Sequence, residues 1–202
     1  MKLKKAFEAL EDKVYVTRKC RIEAAERNKR MDSMTLGINV WYSAILLIIS
    51  IVILSRNDLP DISIVSITSA ILVFSISMIV ATQQYKDKYY AFKSCYLELD
   101  YLHKKIIRYI DIEQFNNDDY QELNQKYNEI LKSSENHKPI DYYTVLMKDI
   151  QLAEKYKKKY PSYKRDWYIK QVIQWLLIIL FVFIPFLTPI ALQLVVKWVT
   201  MI

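Results

Sequence analysis

The sequence of 202 residues contains a single glycine, whereas an average chain of this length would have about 14. Phosphate-binding and dinucleotide-binding loops need several glycines for their tight turns and for close approach of the backbone to the ligand. The composition therefore excludes a P-loop or Rossmann enzyme and argues against a turn-rich all-β fold. Five prolines and abundant Lys, Leu, Ile, Tyr and Glu favour an all-α protein.

Charged residues are missing from two long stretches of the chain. Residues 36–54 and 62–81 are uncharged, and a helix of about 20 apolar residues crosses a hydrocarbon core about 30 Å thick. The connection at 55–61 is polar and contains a proline, which is typical of a tight loop between two helices. The sequence therefore predicts a transmembrane helical hairpin over 36–82.

A third apolar stretch, 172–196, is interrupted by Pro185 and Pro189. Proline removes a backbone hydrogen bond and kinks a helix. We expect a C-terminal membrane segment over 166–202, formed either by a kinked transmembrane helix or by a re-entrant half-span that turns back, or lies in the membrane interface, after residues 186–189.

The positive charges are divided unequally between the segments that flank these stretches. Of the 29 Lys and Arg residues, ten precede residue 36 and seventeen lie in 83–171. Positively charged segments stay on the cytoplasmic side, so we expect the N-terminus and 83–171 in the cytoplasm and the spans in a bacterial inner membrane. Contact with membrane lipids accounts for the net charge of +7, and no direct nucleic-acid binding is expected.

Cysteine and histidine are also rare, with two of each. Cys20 and Cys95 fall in the predicted cytoplasmic segments, where free thiols are the rule. Neither these cysteines nor His103 and His137 have the spacing of metal ligands. We therefore expect no metal and no other cofactor.

The first predicted cytoplasmic part, 1–35, has the pattern of a basic amphipathic helix. Long basic side chains beside a membrane anchor a helix by extending to the lipid headgroups. The alternative function is a docking surface for an acidic partner or a signal ligand. The basic juxtamembrane residues in question are Arg18, Lys19, Arg21, Arg27, Lys29 and Arg30.

The second cytoplasmic part, 83–165, is predicted to be a small helical bundle. Its first helix starts at Tyr85, extends for about 28 residues at heptad spacing and is expected to be continuous with the second span. His103 is interpreted as a packed core histidine, with a pH sensor as the alternative. The apolar seam of this helix is assigned to contacts between copies of the chain and comprises Tyr89, Phe92, Tyr96, Leu99, His103 and Ile106.

Two shorter helices are predicted after this one. An apolar face with helical spacing predicts the first, which ends in the polar stretch 132–139. The second is expected to stop near Tyr160 and Pro161. Their predicted apolar faces are Tyr120, Leu123, Tyr127 and Ile130 in the first helix, and Tyr143, Leu146, Ile150 and Ala153 in the second.

Small polar residues recur along the second predicted span. Such residues let transmembrane helices approach closely, and their hydroxyls bond across helices. Two rows of them on opposite sides indicate neighbours on both sides, so a homo-oligomer is expected. The first row contributes either to helix packing or to a pore lining that has no charged ring, and it includes Ser63, Ser66, Ser69 and Ser77.

The arrangement resembles the SLATT domains, a family of bacterial two-transmembrane effector modules. Three segments carry the resemblance: the basic entry helix at 15–27, the start of the hairpin at 38–43 and the helix that leaves the second span at 84–90. The resemblance extends over roughly residues 5 to 195, and the reverse-transcriptase-associated branch fits best. It implies a proposed role as a pore-forming effector that kills or arrests an infected cell, with no catalytic residues.

Two functions from different classes follow. The leading hypothesis is an effector of a bacterial anti-phage system that oligomerises and permeabilises the inner membrane when an upstream sensor signals. The alternative is a non-conducting membrane anchor or scaffold for a cytosolic defence enzyme, such as a signalling enzyme or a reverse transcriptase. An enzyme is not expected, because no cluster of ionisable residues lies at membrane depth.

Overall fold

A computed structural model describes residues 2–54, 82–113, 115–155 and 160–200, and within 67–78 it describes 67–68, 70–71, 73–75 and 77–78. Every regular element in this part of the chain is an α-helix, which confirms the all-α expectation. The described residues of 67–78 are helical as well. The remaining helices are α1 (Lys2–Leu54), α2 (Tyr85–Asp111), α3 (Asn117–Lys132), α4 (Pro139–Lys148), α5 (Ile150–Lys155) and α6 (Tyr160–Thr200).

The chain divides into two compact units. Unit 1 contains Met1–Met31 and Tyr85–Lys170, and unit 2 contains Asp32–Gln84 and Gln171–Ile202. Helix α1 therefore contributes its first part to unit 1 and its second part to unit 2.

The core of unit 1 forms where α1 meets α2 and α3. Residues at helical spacing on the three helices interdigitate, as expected for amphipathic helices that bury one face. α2 and α3 run antiparallel as a helical hairpin, because Cys95 Sγ lies 3.7 Å from the carbonyl oxygen of Ile130 and Lys105 Nζ lies 2.9 Å from Glu122 Oε1. The buried residues of this core are Phe7, Leu10, Val14, Cys95, Leu99, Leu102, Ile106, Leu123, Tyr127 and Ile130.

A second cluster in unit 1 attaches α4 and α5 to another face of α1. Cys20 of α1 packs there with Val145 and Leu146 of α4 and with Leu152 of α5. Close to it, Ala24 and Ala25 pack against Phe92 of α2. Helix α1 thus lies at the centre of unit 1, with partners on more than one face.

The chain compensates for its lack of glycine at both ends of α2. Gln84 and Glu113 have φ of 51°, in the left-handed region that glycine usually occupies next to a helix end. A residue with this φ does not continue a right-handed helix. The expectation of one helix running from the second span into α2 is therefore wrong at Gln84, where the helical conformation is interrupted.

The predicted third amphipathic helix of the cytoplasmic part is also different in the structure. It is divided into α4 and α5 at Asp149, which has φ −109° and ψ 103° and accepts a hydrogen bond from the backbone N–H of Leu152 (3.2 Å). An aspartate in extended conformation before a helix is an N-cap. Ile150, which was expected on the buried face, is exposed. α5 is described as far as Lys155, and Pro161 lies in the first turn of the next helix, α6.

Many apolar side chains of unit 2 are exposed. They lie on α1 from Leu36 to Ile51, within 67–78 and on α6 from Val172 to Phe183, although Tyr42 of α1 is buried. Among the described residues, one helix, Lys2–Ile48, is long and apolar enough to cross a membrane by length and composition. The other spans and the loop between them stay predictions, and 55–66 lie outside the described residues.

Helix α6 continues through both prolines of the third apolar stretch. It is one helix from Tyr160 to Thr200, so the backbone does not turn back at Pro189 as the re-entrant alternative requires. Its 41 residues correspond to about 60 Å at 1.5 Å per residue. A membrane crossing by α6 stays a prediction.

Candidate functional site: the charged network of α1

Basic residues in the first part of α1 form ion pairs with acidic residues of other helices in unit 1. Arg18 pairs with Asp100 of α2 in a short contact. Lys19 Nζ lies 4.0 Å from Oδ2 of Asp149, the residue between α4 and α5. The cationic face of α1 is therefore directed toward its own neighbours at these positions.

The most buried of these ion pairs joins Arg27 to Asp141. The guanidinium donates twice, from Nε to Oδ1 at 2.7 Å and from the terminal nitrogen Nη2 to Oδ2 at 3.1 Å, and Asp141 is only 2% exposed. Oδ2 also accepts the backbone N–H of Lys138 at 2.8 Å. A single carboxylate thus holds α1 and caps the start of α4, which is a favourable location for negative charge.

Arg21 is a buried cation with mostly neutral partners. Only 1% of it is exposed, and a buried charge is tolerated only when hydrogen bonds replace its water. Its guanidinium donates to the carbonyl oxygen of Glu135 and, at 3.4 Å, to Asn136 Oδ1. It also lies 5.4 Å from the ring centre of Phe92, within cation–π range. Arg21 therefore holds the connection between α3 and α4 against α1.

A further polar chain crosses unit 1 nearer the N-terminus. Glu11 Oε1 lies 2.5 Å from Nε2 of His103, and the ring of Tyr15 packs 5.6 Å from that imidazole. The Tyr15 hydroxyl donates to Asp149 Oδ2 at 2.9 Å. His103 is a buried residue with a specific carboxylate partner, in line with its interpretation as a core histidine.

Burial and charge shift several pKa values in unit 1. Burial raises the pKa of the Cys20 thiol to about 12, so it is not a nucleophilic thiolate at neutral pH. Burial, aided by the positive charge of Arg21, lowers the pKa of His137. A hydrogen bond from Lys104, with the charges of Arg18 and Lys104, lowers the pKa of Asp100. These shifts favour a neutral histidine and a charged carboxylate in the folded network.

The predicted basic cluster is thus divided by the structure. Arg18, Arg21 and Arg27 use their guanidinium groups within unit 1. Lys29 and Arg30 are exposed and form no ion pair with any residue that the structure describes. Anchoring to lipid and docking of an acidic partner both stay predictions, and these two residues are the ones free to serve them.

The predicted seam of α2 faces the interior of unit 1. Phe92, Leu99, His103 and Ile106 are buried, and Tyr89 and Tyr96 are half-buried beside Phe92. Leu99 and Ile106 pack against α1 and α3 of the same chain. Contact between copies through this seam stays a prediction, but in this conformation its buried members already have partners.

Among the small polar residues of the second span, Ser63, Ser66 and Ser69 lie outside the described residues. Ser77 is described, and its hydroxyl donates to Asn39 Oδ1 of α1 at 3.0 Å. Asn39 is the strongly polar residue of the first apolar stretch. This hydrogen bond joins the two predicted spans within unit 2, a helix-packing contact for Ser77.

Sequence reasoning missed the acidic half of the network. Asp100, Asp141 and Asp149 were not singled out, because the partner of Asp141 lies 114 residues away in the sequence. The only local signal was Asp141 two residues after Pro139, where a carboxylate caps a helix start. The described residues contain no group of three or more His, Cys, Asp or Glu able to hold a metal ion.

The first part of α1 packs within unit 1, and its second part has many exposed apolar side chains. A comparison with protein families agrees with this arrangement. The family model of the SMODS and SLOG-associating 2TM effector domain family 5 matches residues 3–194. No curated protein and no solved structure matches the chain. The assignment to a reverse-transcriptase-associated branch stays a prediction. The resemblance to SLATT domains is confirmed, and the chain belongs to family 5 of these two-transmembrane effector domains.

Proposed function

We propose that the chain is a membrane effector of a bacterial anti-phage system that oligomerises in the inner membrane and permeabilises it. The family supports a membrane effector role in defence. The observation that carries the proposal is the continuity of α1, one helix from Lys2 to Leu54. Its first part is locked into unit 1 by ion pairs, and its second part presents exposed apolar side chains of the kind that face lipid or other membrane helices.

In this proposal unit 1 receives the signal and α1 transmits it. A helix is stiff along its axis, so a shift of its first part is passed to its second part. Arg21 binds the connection that precedes α4 and Arg27 binds Asp141 at its start, so a ligand or partner enzyme that moves α4 would act on α1. The charge distribution favours a cytoplasmic location for the N-terminus and 83–171.

The alternative, a non-conducting anchor or scaffold for a cytosolic defence enzyme, is favoured by one specific observation. The Ser77 hydroxyl donates a hydrogen bond to Asn39 Oδ1 within the same chain. The hydrogen bond that this hydroxyl donates holds two helices together, a packing role that requires no water-filled lumen. The distinction between the two functions is whether ions cross the membrane.

The test compares two identical substitutions on α1 in cells that express the full chain, using a potential-sensitive dye. Leu36 and Leu47 are 65% and 67% exposed. Lys at the centre of a span costs about 3 kcal/mol of insertion free energy, whereas Lys near its end extends to the headgroups. We expect wild type and Leu36→Lys to collapse the membrane potential during phage infection, and Leu47→Lys to leave it intact.

Topology is measured in the same cells. Ile150 is 77% exposed in the segment predicted to be cytoplasmic, and Ile150→Cys is expected to react with a membrane-impermeant maleimide only after lysis. Reaction in intact cells contradicts the topology. An intact potential in infected cells, with the wild-type chain present in the inner membrane and a stoichiometric partner co-purifying, contradicts permeabilisation and supports the scaffold.

A further inference from the structure

Helices α2 and α3 form a groove on the surface of unit 1 that no other described part of the chain covers. Its volume is about 580 Å³. Leu102, Leu123 and Ile130 form the floor, and these are core residues of the α2–α3 hairpin. Leu97 and Tyr101 line it from α2 and are 54% and 74% exposed. Two large apolar side chains one helical turn apart on the same face make a helix-sized contact surface.

The charges around the groove nearly cancel. Glu98, Glu122 and Glu129 oppose Lys105 and Lys126, which leaves three negative against two positive charges. Both signs are present on α3, and Lys105 of α2 already pairs with Glu122 across the groove. The whole chain, in contrast, has a net charge of +7.

This balance of charge determines which partner fits. A strongly acidic or strongly basic partner gains little from a rim of mixed sign, whereas a second copy of the same rim, with an excess of only one negative charge, can face it with little repulsion. An isologous two-fold contact places the same patch on both subunits. It brings the Glu98 end of one groove toward the Lys105 end of the other.

We propose that a second copy of this chain docks on the groove, so that Leu97 of one copy packs against Tyr101 of the other and the two α2–α3 hairpins form a four-helix bundle. Antiparallel helical hairpins pair in this way when each retains an apolar outer face. The proposal rests on the proposed function, in which the chain oligomerises, and it identifies the surface through which two copies would associate. It moves the contact between copies from the buried seam of α2 to the opposite, exposed face of that helix.

The groove is small, with twelve lining residues, whereas a stable interface has about 20–30 residues a side. The contact is therefore expected to be weak in solution. Confinement of the copies to a membrane raises their effective concentration and promotes such a contact. The two-fold contact makes pairs, and larger assemblies would need contacts in unit 2 as well.

The test is cross-linking of the full chain in native membranes with a short bismaleimide. Leu97→Cys is the probe, and Ile150→Cys, an equally apolar and exposed position outside the groove, is the matched control. Cys20 and Cys95 are buried and serve as an unreactive background. We expect a covalent dimer at twice 24.1 kDa from Leu97→Cys and none from Ile150→Cys.

A second variant tests the same surface without cross-linking. Leu97→Glu/Tyr101→Glu places four negative charges at the centre of the two-fold contact, and we expect association to weaken by about tenfold or more for each substituted residue. Both side chains are exposed in the single chain, so we expect the variant to retain the fold. Continued protection of Cys20 and Cys95 from a thiol reagent is the control.

The outcomes separate this inference from the proposed function. Equal dimer formation at both cysteine positions, cross-linking of Leu97→Cys to other proteins alone, or unchanged association of the Glu variant overturns the groove contact and leaves permeabilisation standing. Dimers through Leu97→Cys in cells whose membrane potential never collapses support the groove contact and overturn permeabilisation. Loss of both association and depolarisation in the Glu variant supports the two together.

Discussion

The two parts of α1 combine polarity and burial in opposite ways. In unit 1 the helix is rich in charge, yet Arg21 is fully buried and Arg27 pairs with a buried aspartate. In unit 2 the same helix is apolar, yet Leu36, Leu47 and neighbouring residues are exposed. A helix in water buries apolar residues, whereas a helix meant for lipid exposes them. The second part of α1 therefore has the exposure pattern of a helix in lipid, which fits a two-transmembrane family.

The largest expected effect comes from removing one partner of the buried ion pair in unit 1. Removing one partner of a buried ion pair leaves an uncompensated charge and costs about 3–5 kcal/mol. We expect Arg27→Met and Asp141→Leu each to destabilise unit 1 by this amount. The measurement is the free energy of unfolding in urea, followed through the thiol reactivity of Cys20 and Cys95, which are buried in unit 1.

The double variant Arg27→Met/Asp141→Leu is the control for this pair. Because no charge is then left without a partner, the double variant is expected to lose less stability than the sum of the two single variants. Additive losses would show that the ion pair does not couple α1 to α4.

The next effect compares leucines in the two environments. Leu99→Ala removes a buried side chain and is expected to cost unit 1 about 2–5 kcal/mol of unfolding free energy. Leu97→Ala, two residues earlier and exposed, and Leu47→Ala in unit 2 are expected to change it by less than about 0.5 kcal/mol. The same urea titration of cysteine protection measures all three, and an equal loss for Leu47→Ala would remove the contrast between the units.

A smaller effect is expected from the hydrogen bond inside unit 2. Bonds between membrane helices contribute about 0.6 kcal/mol on average and about 1.7 kcal/mol at most. Ser77→Ala removes the donor to Asn39 and is expected to reduce the resistance of the full chain in detergent to unfolding by SDS, without changing cysteine protection in unit 1. Ser75→Ala is the control, since the Ser75 hydroxyl bonds to the Ile71 carbonyl of its own helix. Equal losses in both variants would contradict a specific bond between the spans.

The pH dependence of unit 1 is the mildest test. Burial holds the pKa of His137 below its ordinary value of 6.5, so between that value and the lower folded pKa the unfolded chain binds a proton that the folded chain does not. Stability is therefore complete above about pH 6.5 and falls as the pH decreases through this window. His137→Gln is expected to flatten the slope of unfolding free energy against pH. The pKa of Asp100 is lowered from 3.8, so this residue changes the unfolding free energy only at lower pH. An unchanged slope in His137→Gln would contradict the role of His137.

Several elements were predictable from local pattern alone. The α3 face with Leu123, Tyr127 and Ile130 follows from helical spacing, and these residues are buried. The break at Asp149 was not predicted, because the apolar spacing continues across it and only one extended residue, whose carboxylate caps α5, separates the two helices. The interruption at Gln84 was missed for a related reason, since a non-glycine residue in left-handed conformation has no composition signal.

Only the basic residues of the candidate site were predictable from the sequence, and their partners were not. The density of Arg and Lys near the first span is visible in the sequence, but which of them are free is not. Arg18, Arg21 and Arg27 have partners between 82 and 115 residues away, and ion pairing over such separations depends on which helix faces pack. The assignment of the α2 seam to contacts between copies faced the same difficulty, because an apolar stripe does not say which partner covers it.

The sequence by itself determined the helical content, the uncharged stretches and the family, because these depend on composition and on periodicity along the chain. Only the tertiary structure decided that Asp141 neutralises Arg27, that Glu11 faces His103 and that Leu97 and Tyr101 stay uncovered. The physical reason is that burial and electrostatic pairing depend on distances between residues that are remote in the chain. Those distances are set when α1 packs against α2, α3 and α4 at the same time.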